Sequence, residues 1–160
     1  MLQPNFSPFP ELKTESLLLR QLIMNDSPEI FFLRSDETVL KFIGREPAAS
    51  IDEASAFIQR INDSVDANES IMWAIALKDY PGKIIGNICY WRLQPENYRA
   101  EIGYALHPEY WRKGIMKEAI IKVLDYGFQE MKLHSIEART SPDNIRSVSV
   151  LEATDKRSLP

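Results

Sequence analysis

Leu106-His107-Pro108-Glu109-Tyr110-Trp111-Arg112-Lys113-Gly114-Ile115-Met116-Lys117-Glu118-Ala119 decides how the chain is read. An apolar strand runs into Pro108, the chain turns through a loop carrying Arg112, Lys113 and Gly114, and a long amphipathic helix starts at once. Consecutive backbone N–H groups at a helix start have no intrahelical acceptor and lie at the positive end of the helix dipole, so a phosphate group can take several together. Arg112 and Lys113 add formal charge. Gly114, lacking a Cβ, lets the backbone take a positive φ or approach a ligand closely. The layout is an anion seat, although a lone strand, turn and helix is also an ordinary connection; the rest of the chain decides between the two.

Downstream, the spacing predicts a helix from about 113 to 131. Met116, Ile120, Val123, Leu124, Gly127, Phe128 and Met131 recur at three and four residues and form its sheet-facing side, with Lys117, Glu118, Lys122, Asp125 and Gln129 away from it. Residues 135–140 read as a strand, and the long helix before it makes it a parallel neighbour of the strand ending at Leu106. Residues 144–152 read as a last helix. Upstream lie three meandering strands, at 71–77, 83–93 and 98–106, the first two joined across Lys78-Asp79-Tyr80-Pro81-Gly82. Before them stand a strand at 16–22, a short helix opened by Ser27-Pro28, and a second helix behind the capping box Ser50-Ile51-Asp52-Glu53, with Ala54, Phe57, Ile58 and Ile61 on one face.

At 160 residues the chain makes one domain with a real core. Its formal net charge of −4 argues against a nucleic-acid partner, so the local cations Arg112, Lys113 and Lys117 read as a seat for a small anionic ligand. The single cysteine, Cys89, rules out an intrachain disulfide and has no Cys or His cluster beside it, so no metal is expected. A reduced, cytoplasmic setting is the default, and neither a signal peptide nor a membrane span is visible. His107 and His134 flank strand ends without metal-ligand spacing and read as structural. Trp73, Tyr90 and Trp91 read as core or sheet-surface aromatics.

Four motifs in order resemble the GNAT N-acetyltransferases, and within them the branch that acetylates ribosomal-protein N-termini. They are Thr14-Glu15-Ser16-Leu17-Leu18-Leu19-Arg20, Ala100-Glu101-Ile102-Gly103-Tyr104, the Pro108 to Ala119 segment, and Asn144 with Ser147. The resemblance covers about 14–152, with 1–13 as an N-terminal arm and 153–160 as a divergent tail. It implies an α+β fold: a central, mostly antiparallel sheet with a splayed parallel strand pair, flanked by helices, the final hairpin missing.

The resemblance also implies acetyl-CoA as cosubstrate. Its pyrophosphate would sit on the backbone amides of Arg112, Lys113, Gly114, Ile115, Met116 and Lys117, although Trp111 and Met116 depart from the superfamily's general loop pattern. The strand ending Tyr104-Ala105-Leu106 would pair with the pantetheine amides like an added strand, and Asn144 would contact the cofactor from the last helix. Amine attack on a thioester needs a base, a stabiliser for the growing negative charge and a proton for the departing thiolate. Glu137 matches the base of a related branch, with Glu101 as the competing base. Related branches often use tyrosine as the acid; the matching position here is Leu151, which leaves Ser147 as the hydroxyl within reach of the sulfur.

The family continues after the last helix with a Lys-x-Gly-Phe turn and two strands, where this sequence reads Ala153-Thr154-Asp155-Lys156-Arg157-Ser158-Leu159-Pro160. The edge of strand 135–140 would then need cover. A homo-oligomer, most simply a dimer, is expected to supply it through a second copy of that strand, or the proline-rich first ten residues would lie along it; light scattering reads the outcome. Two readings follow: an N-acetyltransferase acting on a primary amine, either a protein N-terminus or a small molecule, and a CoA-binding or interaction domain without turnover.

Overall fold

The computed structural model describes residues 1–40 and 47–138. One six-stranded sheet runs in chain order: β1 (Leu12–Lys13), β2 (Leu17–Gln21), β3 (Ile71–Leu77), β4 (Ile84–Gln94), β5 (Arg99–Leu106) and β6 (Ser135–Ala138). All neighbours are antiparallel except β5 and β6, which are parallel, as the intervening long helix requires. The helices are α1 (Ser27–Ser35), α2 (Glu37–Leu40), α3 (Ile51–Asp66) and α4 (Ile115–Gln129). The expected last helix, with Asn144, Ser147 and Leu151, lies outside the described residues, as do 139–140 of the expected strand 135–140. Among the described residues no helix is long and apolar enough to cross a membrane.

The sheet separates two cores. On one face Leu17, Leu19, Trp73, Ile75, Ile88, Tyr90, Ala100 and Ile136 pack on Met116, Ala119, Ile120, Val123 and Leu124 of α4. On the other, Met72, Ala74 and Ile84 pack on Ile30 and Leu33 of α1 and on Ala54 and Ile58 of α3. The three- and four-residue spacing of apolar residues in α4 therefore reports its buried face correctly. Gly127 lies on that face because Tyr90 fills the space beside it: a Cβ there would come within 2.9 Å of the ring carbon Cζ and 3.1 Å of Ile136 Cδ1. The Tyr90 hydroxyl donates to the Val123 carbonyl at 2.7 Å, fastening α4 to the middle of β4.

Three expectations are corrected. Helix α1 is capped from Asp26, not Ser27; Ser27 is already helical, and its hydroxyl donates to the Met24 carbonyl at 2.7 Å. Asp26 is buried, accepts from Arg20 Nη1 and Nη2 at 2.9 and 2.8 Å and from the Ile23 N–H at 2.9 Å, and so ties the start of α1 to β2. At α3, Ser50 Oγ accepts from the Glu53 N–H at 3.2 Å as expected, but the Glu53 carboxylate reaches back one residue further, to the Ala49 N–H. The first ten residues do not lie along β6. Leu2 N–H donates to the Pro95 carbonyl at 2.9 Å, Phe6 N–H to Asn68 Oδ1 at 2.8 Å, and Trp73 Nε1 to the Pro10 carbonyl at 2.8 Å, while Leu2 and Phe6 are buried in the α4-side core. Burying two apolar side chains there outweighs the gain from covering a strand edge.

Candidate active site

The seat begins where β5 ends. After Leu106, a short 3-10 turn at Pro108–Tyr110 is capped by His107, whose Nδ1 accepts from the Glu109 N–H at 3.1 Å. The His107 ring stacks on Phe32 of α1 at 4.4 Å between centroids. Trp111 Nε1 then donates to the Leu106 carbonyl at 2.9 Å, folding the loop back over the strand end. Arg112 and Gly114 both take left-handed backbone, at φ 62 and 79. A non-glycine residue there is held at a cost of about 1–3 kcal/mol and marks a place where the surroundings impose the conformation. Helix α4 starts at Ile115, two residues later than the periodicity suggested, because Gly114 at positive φ is its N-cap.

The first helical bond runs from the Glu118 N–H to the Gly114 carbonyl at 3.0 Å. The amides of Ile115, Met116 and Lys117 precede it and have no acceptor within the helix. Arg112, Lys113 and Lys117 are exposed around them, while Met116 is buried and belongs to the core. An ideal Cβ on Gly114 would meet nothing within 4 Å, so the approach to these amides is open. The chain's own residues thus fit a pyrophosphate: a row of amides at a dipole end, cations at the rim and no side chain in the way.

Next to the seat, Arg99, Ala100, Glu101 and Ile102 of β5 pair in parallel with Ser135, Ile136, Glu137 and Ala138 of β6, where the described part of β6 ends. The His107 N–H donates to the Ile85 carbonyl on β4 at 2.8 Å. By the alternation of an antiparallel ladder, Ala105 then also turns its backbone groups toward β4, whereas Tyr104 and Leu106 turn theirs to the β6 side. Of the three positions expected to pair with pantetheine, Ala105 turns its backbone to β4 and Tyr104 and Leu106 turn theirs away from it, the Leu106 carbonyl accepting from Trp111 Nε1.

Glu101 and Glu137 stand opposite each other in the β5–β6 register, hence on one face of the sheet. Each carries an arginine: Arg92 Nη1 lies 3.4 Å from Glu101 Oε2, and Arg99 pairs with Glu137. Glu101 is buried and Glu137 is half-buried. On the same face Trp91 lies opposite Glu101, and Cys89 opposite Gly103, in the β4–β5 register. Trp91 is 38% exposed, unlike Trp73 and Tyr90, which are fully buried. Trp91, Arg92 and Arg99 were not singled out from the sequence as site residues; folding strands 83–93 and 98–106 into a hairpin, with side chains alternating, is what would have placed Trp91 beside Glu101.

Two motifs of the sequence meet away from the chemistry. Glu118, in the first turn of α4, bonds the Thr14 hydroxyl and accepts from the Ser16 N–H at 2.9 Å, and Thr14 Oγ1 accepts from the Leu17 N–H at 2.9 Å. Thr14 and Glu118 therefore fix the start of α4 against the β1–β2 turn, which holds the amide row in place.

A mixed sheet with an anion seat where β5 meets α4 fits a transferase that uses an acyl-CoA, and the comparisons give the family. Residues 16–155 match the acetyltransferase (GNAT) domain family, so the chain belongs to the GNAT acetyltransferases, acyltransferases whose donor is acetyl-CoA. It is 37% identical to the uncharacterized N-acetyltransferase YoaA of Bacillus subtilis, over 89% of this chain and 80% of that protein. A GNAT-family acetyltransferase structure from Bacillus anthracis superposes with a TM-score of 0.76 at 29% identity, covering 89% of this chain and 81% of that one. The ribosomal-protein-S5-alanine acetyltransferase of Vibrio fischeri does so with a TM-score of 0.76 at 25% identity, covering 91% and 81%.

Proposed function

We propose that the chain moves the acetyl group of acetyl-CoA directly onto a primary amine within a ternary complex, with Glu137 as general base. The observation that carries this reading is the opposition of the carboxylates Glu101 and Glu137 on β5 and β6, with β5 running on into the loop and the amide row at Ile115, Met116 and Lys117. Acetyl-CoA supplies a thioester carbonyl carbon open to attack. Arg112, Lys113 and the amides of the loop and helix start bind the pyrophosphate, and the backbone groups of Tyr104 with the Leu106 N–H direct the pantetheine arm toward Glu101 and Glu137. Glu137 takes one proton from the acceptor ammonium; the neutral amine then attacks, the C–N bond forms and the C–S bond breaks, and the second N–H proton, released as the amide forms, balances the one the departing thiolate takes up. Ser147 is proposed to return a proton to the thiolate, and Asn144 to contact the cofactor; both lie outside the described residues. The acceptor is an alkyl amine, of a protein N-terminus or a small molecule, and the likeness to a ribosomal-protein-S5-alanine acetyltransferase supports the first.

Glu137→Gln is expected to lower kcat/KM by about 10²–10⁴, the usual worth of a positioned base, and to flatten the basic rise of the pH profile while leaving CoA affinity intact. If Glu101→Gln does this and Glu137→Gln does not, the assignment of the base is wrong.

A further inference from the structure

We infer that Trp91 and Glu101 form the acceptor's cation subsite, and that the Arg92 guanidinium occupies it in the free chain, making Arg92 a specificity-determining residue. The inference rests on the acetyl-transfer reading for what the cation is, but not for whether a cation binds. Arg92 Cζ lies 4.2 Å from the centroid of the Trp91 ring, and its Nη1 is 3.4 Å from Glu101 Oε2. An aromatic face and a carboxylate around one cation is an arrangement by which proteins hold ammonium ions.

The cation and its two partners are held differently. Trp91 and Glu101 are register partners within the β4–β5 ladder, and the Glu101 side chain is only 8% exposed. The Arg92 side chain is 51% exposed, and its backbone stands at φ 49 in the irregular stretch where the register shifts between Trp91 and Gln94. Swinging it into solvent therefore breaks no rung of the sheet. A buried carboxylate demands a positive partner, and this one can exchange a guanidinium for an ammonium without standing uncompensated. Gly103 keeps the wall beside Trp91 low, since a Cβ there would lie 3.6 Å from Trp91 Nε1. Glu137 faces Glu101 one strand away, so an ammonium held by Trp91 and Glu101 lies beside the proposed base. The subsite selects acceptors that arrive as alkylammonium ions over weakly basic aryl amines, which are neutral at physiological pH.

Tetramethylammonium, which cannot be acetylated, tests the subsite apart from turnover, with tert-butanol as an uncharged control and calorimetry as the readout. The expected result is binding of the cation alone, lost in Trp91→Leu, several-fold tighter in Arg92→Gln and close to the parent in Arg92→Lys. Equal binding of tert-butanol, or an Arg92→Gln variant that binds the cation no tighter than the parent, overturns the inference. Acceptor KM separates the two layers. If the cation binds as expected and no amine is acetylated, acetyl transfer fails and the subsite stands; if acetylation proceeds with an unchanged acceptor KM in Trp91→Leu and Arg92→Gln, the subsite fails and acetyl transfer stands.

Discussion

Gly114 shows how one residue carries the seat. The fold needs glycine there for its dihedral, φ 79, and not for room, because a Cβ would touch nothing of the chain. The room is what a bound pyrophosphate would use. Replacing Gly114 with Val asks an L-residue to adopt left-handed backbone, at a cost of about 1–2 kcal/mol, and places an isopropyl group over the amide row. CoA affinity measured by calorimetry is expected to fall by at least about tenfold, which corresponds to about 1.4 kcal/mol; an unchanged affinity removes the seat from this loop. Glycine's role was legible from sequence because few other residues fit a left-handed helix N-cap. Arg112, at φ 62, was legible only as a charge.

At the scale of elements, α4 is held at two heights, by Glu118 on the β1–β2 turn and by Tyr90 on the Val123 carbonyl. The second joint has a pH signature. Burial, and then the neighbouring Tyr126, pushes the Tyr90 phenol well above its ordinary 10.0. Burial, and then Glu130, pushes Tyr126 up to about 12. Both groups bind their protons more tightly in the folded chain than in the unfolded one, so the stability they contribute is complete below pH 10.0 and is lost as pH rises above it, for Tyr126 up to about 12. Urea midpoints are expected to be level with respect to these groups below pH 10.0 and to fall above it, less steeply in Tyr126→Phe; a midpoint that rises with alkali contradicts the packing of α4 on β4. Strands β2 to β5 and helices α3 and α4 were legible because alternation and helical spacing are strong there. Strand β1, two residues long, and helix α2, four residues long, give no period to count. The Arg20–Asp26 pair was hidden because the two residues meet only once the chain leaves β2 and turns into α1.

Across the whole molecule, a single sheet carries the opposed carboxylates and the Trp91 wall, and its strand β5 leads into the amide row at the start of α4. The seat could be read locally, since its residues are contiguous. The opposition of Glu101 and Glu137 could be named from sequence only as two candidates, because it depends on the parallel register of strands separated by the full length of α4. Trp91 and Arg92 stayed hidden because their meaning comes from a hairpin register that shifts beside them. Whether this chain uses acetyl-CoA to acetylate an amine is read in one assay. Purified protein is incubated with acetyl-CoA and a panel of peptide N-termini and alkyl amines, with released thiol and acetylated amine measured together. At least one acceptor is expected to be acetylated in step with thiol release, with both signals falling in Glu137→Gln. Binding of CoA with no acetylated amine anywhere in the panel, or thiol release that yields only acetate, would contradict that expectation.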